Sequence, residues 1–250
     1  MPETYKLGTN NKAILILHGF GGDVMRDTDF LIKYFIRKDY TIVRPLLYKY
    51  NDHSLYHIEK WLKIANDCVD KLSKNHEKVF ILGASFGGDL AISLARNNQN
   101  VTGISTLETP IFFTTKISFL LSFFLPILKL LKIDKVRKNK FWYRKNYHQK
   151  NRISSDPFPF IPIKTISKIY KFIKKEIRQN LREIHIPFLI VQATKSDIIA
   201  KKTAKYIYNK ISSRDKEIYY IETNNHDLNV LDEPQKILIL EKIFKFFDVL

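Results

Sequence analysis

Short apolar runs and longer amphipathic stretches alternate along most of the chain. "AILIL" (Ala13 to Leu17) precedes a helical pattern near Val24 to Lys38, and "TIVRP" (Thr41 to Pro45) precedes another from about Leu55 to Ser73. "KVFIL" (Lys78 to Leu82) leads into a helix from Phe86 to about Asn98, followed by "VTGISTL" (Val101 to Leu107). After a long interruption the alternation resumes with "PFLIVQAT" (Pro187 to Thr194), a helix near Lys201 to Ile211, "EIYYIE" (Glu217 to Glu222) and a last helix from about Pro234 to Phe247. Fully apolar strands alternating with helices predict an α/β chain, with a mostly parallel central sheet covered by helices on both faces. Active sites of such sheets gather at the carboxyl ends of the strands, so the residues just past each run are where chemistry is expected.

The interruption differs in kind. It opens with "IFFTTKISFLLSFFLPILKLLKI", continues through the cationic and aromatic "RKNKFWYRKNYHQKNR", turns at "SSDPFPFIP" and ends in the helix-like "KTISKIYKFIKKEIRQNLREI". Pro126 is expected to break any single helix in its greasy first part. These boundaries predict a core formed by residues 1–110 and 183–250, with residues 111–182 inserted as a hydrophobic and basic helical cap after a strand end.

Charge singles out the same insertion. The chain carries 42 Lys and Arg against 25 Asp and Glu, a formal +17, and residues 111–186 hold 18 of the former and only 4 of the latter. Packing on the core and lining an acyl pocket is one role for the apolar stretch. The other is peripheral contact with an anionic membrane, through Lys129, Lys132, Lys135, Arg137, Lys138, Lys140, Arg144 and Lys145, with Trp142 and Tyr143 suited to the interface. Nucleic-acid binding is disfavoured, because the basic segment adjoins a greasy one and no recognised module is present. The longest uncharged apolar stretch, Ile117 to Leu128, is too short to span a bilayer, and the N-terminus lacks a signal-peptide pattern. With a single cysteine, Cys68, set among apolar helix positions, a cytoplasmic protein, soluble or peripheral at the membrane, is expected.

Chemistry is marked by glycine. Six of the chain's 8 glycines fall at two points, Gly19, Gly21 and Gly22 in "HGFGG" and Gly83, Gly87 and Gly88 in "GASFGG". In the second, Ser85 sits where a strand pattern gives way to a helix, as a nucleophile does on a sharp strand-to-helix turn. Such a serine needs a base and an orienting acid, expected after later strands in the order acid, then histidine. Asp197 follows the Pro187 to Thr194 run and His226 follows the Glu217 to Glu222 run. Asp227 and Asp232 lie too close to His226 in sequence to serve easily as independent partners. The oxyanion donors are expected to be the amides of Phe86, just after the serine, and Phe20, in the loop shaped by His18 and its glycines. That loop lacks the Lys-Ser/Thr of a phosphate-binding loop. His53 and His57 stand four apart without a third ligand, so neither metal nor cofactor is expected.

"LILHGFGG", "GASFGG", "VQATKSDII" and "NNHDLNVLDE" together resemble the carboxylesterase and monoacylglycerol lipase branch of the α/β-hydrolase superfamily, over nearly the whole chain. The resemblance implies an α/β-hydrolase fold, Ser85 as nucleophile with His226 and Asp197 as partners, and Phe20 and Phe86 as oxyanion amides. The activity it implies is serine carboxylic-ester hydrolysis through an acyl-enzyme. Monoacylglycerols, lysolipids and simple fatty esters are the expected small-molecule substrates. Thioesterase or acyltransferase chemistry with the same triad stands as an alternative, as does a membrane-surface binding protein that has lost catalysis. An "NN" pair before the histidine, where Ser-Gly is common, and the greasy, basic first half of the cap depart from the family pattern.

Overall fold

A computed structural model describes residues 3–6, 8–9, 11–21, 26–49, 53–137 and 160–250. In chain order its regular elements begin with β1 (Glu3–Lys6), β2 (Lys12–Leu17), α1 (Asp29–Phe35), β3 (Thr41–Arg44), α2 (Ile58–Leu72), β4 (Lys78–Ala84), α3 (Phe86–Asn97) and β5 (Gly103–Leu107). Next come α4 (Thr115–Phe119), α5 (Leu125–Leu130), β6 (Lys135–Arg137), β7 (Phe160–Pro162) and α6 (Ile163–Phe172). The chain ends with β8 (Phe188–Ala193), α7 (Lys202–Lys210), β9 (Lys216–Ile221) and α8 (Glu233–Asp248).

Seven strands form one sheet in the order β1-β3-β2-β4-β5-β8-β9. The six from β3 to β9 run parallel, and β1 closes the edge antiparallel to β3. The period-two geometry of a strand explains why the core runs carry no polar alternation. Ala13, Leu15 and Leu17 of β2 face one apolar core while Ile14 and Ile16 face the other. Phe80 and Leu82 of β4 likewise oppose Val79 and Ile81. On the first side Trp61 and Val69 of α2, Leu90 and Leu94 of α3 and Ile207 of α7 complete the packing. On the second, Leu31 and Phe35 of α1 meet Ile239, Ile243 and Phe247 of α8. Cys68 is buried in the first core, where burial pushes its thiol up to about 11 and keeps it protonated.

The first half of the interruption leaves the sheet after β5. Pro126 does not end the helix there: α4, a π-helical turn over Leu120–Phe124 and α5 follow one another directly, and the junction residues Leu120 and Phe124 both keep right-handed helical backbone angles. A proline ring inside a regular helix would clash with the carbonyl four residues back, here that of Ser122. The wider π turn re-aims the carbonyls that precede the ring, and the helix continues past it. The second half is tied to the core. After α6 another π-helical turn, Ile173–Ile177, carries the helix on, and Ile169, Ile173 and Ile177 join the first core. The Thr165 hydroxyl donates to the Leu55 carbonyl at 3.1 Å and Arg178 Nε to the Ile111 carbonyl at 2.7 Å, holding this helix beside the carboxyl end of the sheet.

Candidate active site

β4 ends at Ala84 and α3 starts at Phe86, which leaves Ser85 alone to make the reversal. It does so with φ 51° and ψ −124°, outside the regions that ordinary residues prefer. Bonds from both neighbours hold the strained turn: the Ser85 amide donates to the Leu107 carbonyl at 2.7 Å, and the Gly88 amide donates to the Ser85 carbonyl at 2.8 Å. The flanking glycines permit the close approach. A Cβ on Gly83 would collide with the Gly87 carbonyl, and one on Gly87 with the Leu17 carbonyl at the end of β2. A side chain at either position would therefore push α3 off the sheet and move the serine with it.

His226 lies in the loop between β9 and α8. Its Nε2 accepts the Ser85 hydroxyl at an Oγ to Nε2 distance of 2.9 Å, and its Nδ1–H donates to Glu108 Oε2 at 3.2 Å. The carboxylate within hydrogen-bond distance of the imidazole is thus Glu108, which sequence reasoning did not single out, although an acidic residue directly after the β5 run was its visible signal. Asp197 stands in the loop after β8, where its amide donates to the Asn224 carbonyl at 3.1 Å and its carbonyl accepts the Thr114 hydroxyl at 3.3 Å. It reaches His226 through its charge. The other two acids considered beside His226 are helix caps: the Asp227 carboxylate accepts the Asn229 amide at 3.0 Å, and that of Asp232 accepts the Gln235 amide at 2.9 Å.

Burial alone would lower the His226 pKa. The hydrogen bond and charge of Glu108, with the charges of Asp197 and Asp227, outweigh it and hold the group above its ordinary 6.5.

The "HGFGG" loop closes over the serine from the end of β2. A Cβ on Gly19 would stand 3.0 Å from the Ser85 Cβ, so the backbone leading into Phe20 runs beside the nucleophile. His18 shapes this loop as a neutral ring: Nδ1–H donates to the Gly19 carbonyl at 2.9 Å and Nε2 accepts the Leu47 amide at 3.0 Å. Burial, with a smaller contribution from the Arg44 charge, lowers its pKa to about 4 against the opposing Gly19 bond. Tyr48 adds a second clamp, its hydroxyl donating to the Gly19 carbonyl and accepting the Gly21 amide, each at 3.2 Å. An aromatic wall stands behind the serine: Phe20 stacks on Trp61 with ring centres 6.0 Å apart, and Phe86 meets Trp61 and Phe172 edge-on at 5.9 and 5.8 Å. Among the described residues no group of three or more His, Cys, Asp or Glu could hold a metal ion. The side chain of His53 lies outside the described residues.

The family model "Serine aminopeptidase, S33" matches residues 50–234. A carboxylesterase of Bacillus subtilis (strain 168) is 25% identical over 257 residues, covering 100% of this chain and 96% of the relative. Among solved structures, one from the metagenome-derived lipolytic enzymes LipS and LipT superposes with a TM-score of 0.79 at 21% identity, covering 100% of this chain and 97% of the other. The monoacylglycerol lipase of Paleococcus ferrophilus superposes with a TM-score of 0.76 at 17% identity, covering 98% and 99%.

Proposed function

The chain belongs to the serine aminopeptidase S33 family and is a hydrolase of the α/β-hydrolase fold, and on that premise we propose that it cleaves carboxylic esters of acyl chains through a serine acyl-enzyme. The observation that carries this reading is the 2.9 Å contact between Ser85 Oγ and His226 Nε2 on a strained turn at the carboxyl end of the sheet. His226 takes the hydroxyl proton as Ser85 attacks the ester carbonyl, then returns it to the departing alcohol. Water, activated by the same imidazole, releases the acid. The oxyanion is held by the amides of Phe86, at the positive end of α3, and of Phe20. Phe20 and Phe172, the partly exposed members of the aromatic wall, favour an apolar acyl group, as in monoacylglycerols, lysolipids and simple fatty esters. The test is labelling of the purified protein with a fluorophosphonate, alongside hydrolysis of p-nitrophenyl esters of increasing chain length and of a p-nitroanilide. Labelling, and an ester optimum longer than acetyl, are expected. A folded protein that neither labels nor hydrolyses any ester sinks the reading, and faster cleavage of the anilide or of acyl thioesters redirects it to those bonds.

Peripheral contact with an anionic membrane belongs to the same proposal. Phe123, Ile127, Leu130 and Leu131 are exposed by 63, 46, 83 and 64% on and just after the α4–α5 helix. Exposed Lys116, Lys129, Lys132, Lys135 and Arg137 surround them. No helix among the described residues is long and apolar enough to cross a membrane. The remaining basic and aromatic residues named for this contact, Lys138, Lys140, Trp142, Tyr143, Arg144 and Lys145, lie outside the described residues. Fully burying one large apolar side chain is worth roughly 1.5–3 kcal/mol, against about 1 kcal/mol for a cation near an anionic surface. Lipid contact therefore supplies most of the affinity, and the cations choose the lipid. Co-sedimentation with phosphatidylserine-containing vesicles is expected, reduced on pure phosphatidylcholine and lost in Leu130→Glu/Phe123→Glu. Equal recovery on both vesicle types, or a wild type that elutes as a dimer which the double substitution makes monomeric, counts against it.

A further inference from the structure

We propose that Glu108, rather than Asp197, is the carboxylate that positions His226, and that Ser196 holds Glu108 for that task. The proposal rests on the serine-hydrolase reading above and concerns which side chain completes it.

The residue is placed at one point by four independent contacts. Glu108 follows β5 directly, its amide donating to the Val191 carbonyl of β8 at 2.9 Å while the Leu107 carbonyl before it accepts the Ser85 amide. The bond that forms the nucleophile's turn thus also sets the carboxylate's backbone. Its φ of 51° is one of four positive values at non-glycine residues among the described residues, and the nucleophile itself carries another. A strained angle of this kind persists only where surrounding bonds enforce it, and such residues cluster at active sites. The residue is 1% exposed. Its Oε1 accepts the Ala193 amide at 2.6 Å, and its Oε2 accepts both a short bond from the Ser196 hydroxyl and the imidazole Nδ1–H at 3.2 Å. Each of these bonds is donated to the carboxylate, which serves throughout as the acceptor. An acceptor at Nδ1 fixes the tautomer that leaves Nε2 free to take the serine proton.

Asp197 is the neighbouring charge. It lies one residue beyond Ser196, and with Asp227 it adds to the field on His226 without replacing the Glu108 bond. Three carboxylates thus act on the imidazole by charge, and Glu108 also bonds its ring.

Two substitutions separate these roles. Glu108→Gln keeps the shape but presents an amide N–H to Nδ1, which favours the tautomer that cannot accept from Ser85. Ester turnover is expected to fall by at least ~10²-fold, a wrong-tautomer amide in a comparable triad costing about 10⁴. Asp197→Asn is expected to cost less than about tenfold, since the imidazole loses a neighbouring charge and keeps its Glu108 bond. The imidazole titration of His226, followed by NMR of histidine-labelled protein, reads the same question without catalysis. Its midpoint should drop in both variants and further in Glu108→Gln, and the acid limb of kcat/KM should shift the same way. A structural defect alone would lower activity without this ordering. Because the Ser196 hydroxyl touches Oε2, a carboxylate supplied there should reach Nδ1, so adding Ser196→Asp to Glu108→Gln should restore at least tenfold of the lost turnover. If Asp197→Asn falls as far as Ser85→Ala, or lowers the His226 midpoint more than Glu108→Gln does, the assignment is overturned, whether or not Glu108→Gln folds. A wild type that hydrolyses no ester defeats the parent reading instead, and the titration order still decides between the two carboxylates.

Discussion

Ser85→Ala is expected to lower ester turnover by on the order of 10⁴-fold or more and to abolish fluorophosphonate labelling, while leaving the melting temperature close to that of the wild type. A loss of 10⁴ corresponds to about 5.4 kcal/mol of transition-state stabilisation. It is this large because no other hydroxyl can take the place: Ser85 alone occupies the turn between β4 and α3, and His226 Nε2 is 2.9 Å from its Oγ. The substitution adds no bulk, and alanine can sit at φ 51° no worse than serine. The backbone bonds at this turn, from the Ser85 amide to Leu107 and from the Gly88 amide to Ser85, do not use the side chain. Stability and activity should therefore part company. Activity within tenfold of the wild type would remove Ser85 as the nucleophile. A large fall in melting temperature would show instead that the hydroxyl serves the turn.

What the sequence revealed and what it withheld follow from the range of the forces involved. The parallel sheet was legible because its inner strands are buried on both faces, so their apolar runs record burial directly, as Ile14 to Leu17 do. The serine turn was legible because steric collision enforces its glycines at Gly83 and Gly87, and a collision leaves a fixed spacing. β1 carried no such mark: "ETYK" is an edge strand of four residues held by backbone pairing with β3, to which any sequence can contribute. Pro126 misled because a ring's cost depends on the turn before it, and a π-helical turn is not encoded in periodicity. The acid is the most instructive case. Asp197 and Glu108 each follow a strand and each precede His226, so chain order is the same for both. Only the contacts of Glu108 with Ala193 at the end of β8 and with Ser196 and His226 in two other loops distinguish them. Such long-range contacts have no spacing to read.

His226→Ala should cost as much as Ser85→Ala, on the order of 10⁴-fold, and the double variant should be no worse than either alone by more than a few-fold. The two groups act as one unit: without the base the hydroxyl is a weak nucleophile, and without the hydroxyl the base has no proton to take. Additive losses, a double variant near 10⁸-fold, would mean that each contributes separately and would contradict a shared proton transfer. The pH profile gives the same test from the other side. His226 must be neutral to accept the proton, so kcat/KM should rise with pH as the imidazole loses its charge. The carboxylates facing it, Glu108 first, outweigh the effect of burial and hold the group above 6.5, which puts the midpoint of that rise above the ordinary histidine value. His18 cannot supply this limb, because its pKa is lowered to about 4 and its ring is bonded to Gly19 and Leu47. The residual activity of His226→Ala should accordingly show no rise across neutral pH beyond that of hydroxide itself. A limb that survives the substitution would point to another base.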